Sequence, residues 1–243
     1  MKLRGKVVLI TGAAKRIGRA VALQLACEGC HVAITYRRSQ SEAQQLVKQL
    51  RERKVKATAV QVDQKDRTQV VAALKAVVKE MGRIDVLINN ASSYYPVPWM
   101  KVTEREWNDL VHSNLAGPFW FVQAAAPYLQ KQAIGKIVNF ADASLSSPWV
   151  EHVPYSAAKG GIVTMTRGLA KALAPKIQVN AIAPGPMLKP PALSAAGSRK
   201  ALNKTLLKRW GGVEPIVETV LFLLKNDFIT GQVIAVDGGR QLA

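Results

Sequence analysis

The stretch Lys6–Tyr36, "KVVLITGAAKRIGRAVALQLACEGCHVAITY", decides the fold. Its apolar run from Lys6 to Thr11 is short and continuous, as a strand buried on both faces requires. Apolar residues then recur at helical spacing from Ile17 to about Cys27, and Gly29 supplies a stop. A second apolar strand, His31–Tyr36, follows at once. Strand, helix and strand within thirty-one residues read as a unit of two parallel strands joined through a helix.

The alternation continues along the chain. A helix is expected from Ser41 to about Arg53, and a third strand ends at Asp63 in "VKATAVQVD". Helix Thr68–Met81 stops at Gly82. "IDVLINNAS" forms a fourth strand that enters a loop. Glu104–Lys131 reads as one long helix distorted near Pro118. "KIVNFA" is the fifth strand, Val153–Leu173 a helix stopped by Pro175, and "IQVNAIAPG" the sixth strand. A loop rich in Pro, Ala and Lys spans Pro186 to about Arg209. Helix Glu214–Leu224 and the strand "GQVIAVDGG" close the pattern. The expectation is an α/β doubly wound (Rossmann) fold, a parallel seven-stranded sheet with helices on both faces. One domain spans 1–243, with ligands at the carboxyl ends of the strands.

The 243 residues are 49% hydrophobic, enough for a large core and against disorder. No apolar run is long enough to cross a membrane. The run that includes Val7 and Thr11 has five residues, too few for a signal-peptide core, so a cytoplasmic location is expected. Cys27 and Cys30 stand as "CEGC" at the end of a helix, where the dipole does not favour thiolate, and no second pair completes a zinc site. They read as buried structural thiols, and no metal is expected. The net charge is +18, and His152–Val213 contains ten Lys or Arg but no acid. Such a surface attracts anionic cofactors, nucleic acid or an acidic partner. No nucleic-acid-binding motif accompanies it, which argues against nucleic acid.

"TGAAKRIGRA" (Thr11–Ala20) joins the first strand to the first helix. Gly12 and Gly18 permit a tight turn and close backbone approach, and the helix N-terminus favours phosphate. This loop resembles the TGxxxGxG loop of short-chain dehydrogenases/reductases, with Arg16 at the middle glycine. An arginine there adds a fixed charge and five donors. Where an NAD site would place an acid after the second strand, the chain has Arg37, Arg38 and Ser39. Arginine grips a 2′-phosphate bidentately, which points to NADPH, and Lys15 adds charge nearby. Further family motifs follow in order: Asp63–Gln64, "NNAS" (Asn89–Ser92), Asn114, Pro184–Gly185 and the C-terminal "ITGQVIAVDGG". The resemblance covers the whole chain. It implies cofactor contacts from Gly12, Lys15, Arg16, Ile17, Gly18, Tyr36, Arg37, Arg38, Ser39, Asp63, Gln64, Asn90, Ala91, Ser92, Tyr155, Lys159, Pro184 and Gly185. It also implies a homotetramer, for which Ala124–Ala126 and Ala157–Gly161 offer small packing residues.

Tyr155 and Lys159 stand four apart, on one helix face. A phenol has a pKa near 10, and a nearby ammonium is expected to bring it down. In the family, these two residues and Asn114 form a proton relay that accompanies hydride transfer, with Asn114 holding a water. Thirteen residues before Tyr155 stands Asp142, where carbonyl reductases carry a hydrogen-bonding serine. An ionised aspartate repels a developing oxyanion, whereas a carboxyl suits a ring C=N with adjacent N–H groups. Ser144 or Ser146 could shift into the serine role. Asp142, Arg16, "NNASSYYPVP" and "PGPMLKPPA" together resemble pteridine and dihydromonapterin reductases. That resemblance implies a pterin contacted by Arg16, Ser92, Tyr94, Asp142, Tyr155 and Leu188, with Tyr94 stacked on the ring. Loop packing of Tyr94 and Tyr95 against Pro96 and Trp99 is the alternative. A lid at about 186–212, carrying Met187, Leu188, Leu193, Leu202, Leu206, Leu207 and Trp210, would cover the substrate. The rival activity is reduction of a 3-oxoacyl group on a carrier protein, which the acid-free basic segment could dock.

Overall fold

The structure, a computed structural model, describes residues 1–190 and 193–243. Seven strands form one parallel sheet: β1 Val7–Ile10, β2 His31–Tyr36, β3 Ala57–Gln61, β4 Val86–Asn89, β5 Gly135–Phe140, β6 Ile177–Pro184 and β7 Val233–Val236. Their order is β3-β2-β1-β4-β5-β6-β7. The winding reverses between β1 and β4, so a crevice opens beyond their carboxyl ends. Val8 pairs with Val32 on one side and Val86 on the other, which fixes the register at that seam.

Side chains along each strand alternate between the two faces of the sheet. Val8, Ile10, Val32, Ile34, Val86 and Ile88 point to a core completed by α1 (Arg16–Cys27), α2 (Gln40–Arg51) and α8 (Glu214–Lys225). Val7, Leu9, Ala33 and Leu87 point to the opposite core, under α3 (Arg67–Met81) and α5 (Gly117–Leu129). Local signals set the helix ends. Asp66 accepts hydrogen bonds from the backbone N–H groups of Thr68 and Gln69 at the start of α3, and Gly82 ends it at φ 81°. Thr103 and Glu106 form a reciprocal capping box on α4 (Glu104–Val111). No helix among the described residues is long and apolar enough to cross a membrane. No group of three His, Cys, Asp or Glu residues there could hold a metal ion.

Three expectations need correction. The long helix Glu104–Lys131 is instead α4, a π-helical segment His112–Ala116 and then α5. The distortion precedes Pro118, which follows the π-helical segment in the first turn of α5 and has no N–H to bond a carbonyl of that segment. The loop from Pro186 to Arg209 contains a helix, α7 (Ala195–Asn203), capped by the Ser194 hydroxyl accepting from the Gly197 N–H. Pro191 and Ala192, inside the expected lid, lie outside the described residues. Cys30 is buried, but Cys27 is exposed. Cys27 ends α1 on its solvent side, beyond the apolar stripe of Val21, Ala22, Leu25 and Ala26.

Candidate active site

From Gly12 through Ser92, every residue expected to meet the cofactor lines one groove of about 450 Å³. The groove lies at the carboxyl ends of β1, β2 and β4. Thr11 holds its centre: the Oγ1 atom accepts from the N–H groups of Asn90 and Ala91, both at 3.0 Å. The Asn90 amide donates back to the Thr11 carbonyl at 2.8 Å. These bonds pull the loop after β4 onto the glycine turn. A Cβ on Gly12 would lie 2.7 Å from the Ala91 Cβ, and one on Gly18 would lie 2.6 Å from Asn90 Nδ2. Both positions therefore need glycine.

Arg16 has φ 54°, the left-handed region that favours glycine and costs other residues about 1 kcal/mol. Its guanidinium crosses the mouth of the groove and donates to the Leu188 carbonyl at 3.1 Å. Lys15 is paired with Glu42 at 2.7 Å, so part of its charge is already answered. Arg37 stands 3.9 Å from Asp63, a loose and half-exposed pair, while Arg38 is exposed beside it. No acid occupies the turn after β2, and the two arginines and Ser39 fit a 2′-phosphate. The donor set of this groove therefore fits NADPH. Thr35, Val62, Ser93 and Ser113 also line it, contacts the sequence motifs did not single out. Tyr155, Lys159, Pro184 and Gly185 do not line this part of the groove. Tyr155 and Lys159 stand on α6 (Val153–Leu173), and Pro184 and Gly185 lie at the end of β6.

Helix α6 (Val153–Leu173) carries Tyr155 and Lys159 into the interior, both buried. The Tyr155 hydroxyl donates to Asp142 Oδ2 at 2.7 Å. The other Asp142 oxygen accepts the Ser144 N–H at 2.7 Å. Ser144 thus serves through its backbone, while its side chain leaves Asp142 in place beside the tyrosine. Lys159 Nζ donates to the Phe140 carbonyl at 2.6 Å. Burial lowers the Lys159 pKa to about 8, against an upward pull from Asp142. Tyr155 runs opposite to expectation. Burial, then the Asp142 charge and hydrogen bond, push it well above its ordinary value. The nearby ammonium does not overcome those effects, so the phenol is held protonated.

Asn114 is buried within the π-helical segment, whose extra residue closes an i to i+5 bond from the Gly117 N–H to the His112 carbonyl. Its amide donates to the Ser93 and Leu110 carbonyls at 2.8 and 2.9 Å. Its oxygen accepts from Ser92 Oγ at 2.6 Å. Protein groups thus engage both ends of the Asn114 side chain, which braces the loop after β4. Tyr94 has a neighbour that the sequence motifs did not suggest. It stacks on His152, with centroids 4.4 Å apart and 13° between planes, and meets Tyr155 edge-on at 4.8 Å. The motifs passed over His152, although its position three before Tyr155, one helical turn away, is a signal for a shared face. In the expected lid, Met187 is buried against the core, whereas Leu206 and Leu207 are exposed.

The glycine turn, the acid-free β2 turn and the buried tyrosine–lysine pair define an oxidoreductase site that works with a nicotinamide cofactor. The chain belongs to the short chain dehydrogenase family, which it matches over residues 6–200. It is 37% identical to the 3-oxoacyl-(acyl-carrier-protein) reductase FabG of Staphylococcus aureus over 242 residues, 98% of each chain. It superimposes on the structure of FolM alternative dihydrofolate reductase 1 from Brucella canis complexed with NADP, with a TM-score of 0.92. That protein is 32% identical, and the alignment covers 100% of this chain and 97% of the other. A blue fluorescent protein from a metagenomic library in complex with NADPH also has a TM-score of 0.92 and 32% identity, covering 99% of each chain.

Proposed function

We propose that the protein is an NADPH-dependent reductase of a pterin-type ring. The observation that carries this reading is the 2.7 Å hydrogen bond from the Tyr155 hydroxyl to Asp142. A carboxylate accepts hydrogen bonds and repels an oxyanion, so it suits a ring edge that presents N–H groups better than a lone carbonyl oxygen. Bound NADPH supplies the hydride that adds to the electron-poor carbon of a ring C=N. Tyr155, held protonated, donates the matching proton to the ring nitrogen, which gains basicity as the carbon is reduced. A substrate N–H donating to Asp142 would release the Tyr155 hydroxyl from that carboxylate and turn it toward the acceptor nitrogen. Lys159, as ammonium, stabilises the tyrosinate left behind. Arg16 holds Leu188 at the edge of the site.

A second reading, reduction of a 3-oxoacyl thioester, is favoured by the FabG relatives and by the acid-free basic segment His152–Val213. NADPH oxidation measured side by side with dihydrobiopterin and an acetoacetyl thioester separates the two. Turnover of the pterin is expected, and turnover of only the thioester would sink the first reading.

A further inference from the structure

His152 is the residue just before α6 and lies one turn from Tyr155. Its Nδ1 and Nε2 atoms are both shut off from solvent, and neither has a hydrogen-bond partner among the described residues. Buried imidazole nitrogens are normally satisfied, because an unmade hydrogen bond leaves the whole desolvation cost uncompensated. Burial also pushes the His152 pKa down, with Glu151 and Asp142 acting in the opposite sense. The ring is therefore neutral near pH 7 and offers one donor and one acceptor. That pairing complements the edge of a nitrogen heterocycle, where an N–H stands beside a lone pair.

The packing supplies a way to open this group. Tyr94 stacks on the imidazole and rests edge-on against Tyr155. Its own surface is 57% exposed, and it stands in the loop between β4 and α4 with no regular element around it. The backbone next to Tyr94 is held through the Ser93 carbonyl, so the movable half of the stack is the exposed Tyr94 side chain alone, and His152, anchored at the start of α6, is the fixed half.

We propose that His152 is a substrate-recognition residue, its ring face stacked under Tyr94, whose nitrogens hydrogen-bond to the polar edge of the substrate heterocycle when the Tyr94 side chain moves aside. The inference rests on the pterin reading and deepens it by naming a contact on the ring. His152→Phe keeps an aromatic partner for Tyr94 and deletes both nitrogens. The expected result is a KM for dihydrobiopterin raised about tenfold, the loss of one hydrogen bond to a polar group. The kcat and the NADPH Kd should change little. His152→Gln, which keeps a donor and an acceptor, should recover most of the loss. A KM within about twofold of wild type in His152→Phe, a change below half of one hydrogen bond, overturns the proposal.

Wild-type turnover tests the underlying reading separately. If wild type reduces only the thioester, histidine-selective nitrogen NMR decides the matter. The chain has three histidines, and the signals lost in His152→Phe belong to His152. A shift of those signals when the thioester joins the NADP⁺ complex keeps His152 as a recognition residue, donating to a carbonyl, but overturns the heterocycle contact. No shift refutes both.

Discussion

Replacing Asp142 with Asn keeps the shape of the side chain and removes its charge. Among the described residues, Asp142 is the group that pulls the Lys159 pKa upward from a value that burial has brought to about 8. Losing a nearby charge of this kind moves a buried neighbour by about one unit, or about 1.4 kcal/mol. The Lys159 midpoint should therefore fall from about 8 to about 7. At pH 8 the ammonium fraction drops from about one half to about one tenth, a loss of about fivefold. Near pH 6 both proteins carry the charged lysine, and this part of the loss vanishes. Any loss from the missing carboxylate itself applies at every pH, so it lowers the profile without moving its limb. The assay is kcat/KM for NADPH oxidation across pH, compared between wild type and Asp142→Asn. For wild type the alkaline limb should fall with a midpoint near 8, since the active ammonium is lost as pH rises through its folded pKa. The same group adds stability as pH rises from about 8 toward its unfolded value, because the unfolded chain binds more protons in that window. A limb that stays in place, or moves to higher pH, in Asp142→Asn would refute the coupling of Asp142 to Lys159.

Other expectations follow from single contacts. Arg37→Ala with Arg38→Ala should weaken NADPH binding by about 1.5–3 kcal/mol and leave NADH binding almost unchanged, as two fluorescence titrations would show. Arg16→Gly should relieve the φ of 54°, raise Tm by about 2 °C and raise the substrate KM, because the bond to Leu188 is lost. Calorimetry and steady-state kinetics check the two halves. A thiol reagent should label exposed Cys27 quickly. Cys30 is buried, donates to the Leu3 carbonyl and has its pKa pushed up to about 12, so mass spectrometry should find it unmodified until the protein unfolds.

The strand–helix alternation and the groove were legible because both depend on short-range patterns. Continuous apolar runs mark strands buried on both faces, and glycines mark the points where backbone approaches backbone. Tyr155 and Lys159 were legible through their spacing on one helix. What escaped was set by contacts between distant segments. The sign of the Tyr155 shift depends on how deeply α6 is buried and on Asp142 lying 2.7 Å away, neither of which the spacing conveys. The Tyr94–His152 stack joins residues fifty-eight apart, and no local pattern announces it. The break after Val111 carries no proline or glycine of its own, so the sequence pattern points to Pro118 instead. Helix α7 is short, polar on average and buries none of its residues, so no apolar run announces it.

That break also makes chain length a determinant of the site. The π-helical segment holds one residue more than an α-helical turn would. Deleting any one residue from His112–Ala116 would let α4 and α5 run as a continuous helix. The flanking helices would keep their phase, because the bulge already absorbs the extra residue within one turn, but the side chains inside the segment would be redistributed over the helix surface. Asn114 would then leave Ser92 and Ser93, and the loop that carries Tyr94 would lose its brace. Substitutions in these five positions can be absorbed one side chain at a time, but a change in their number cannot.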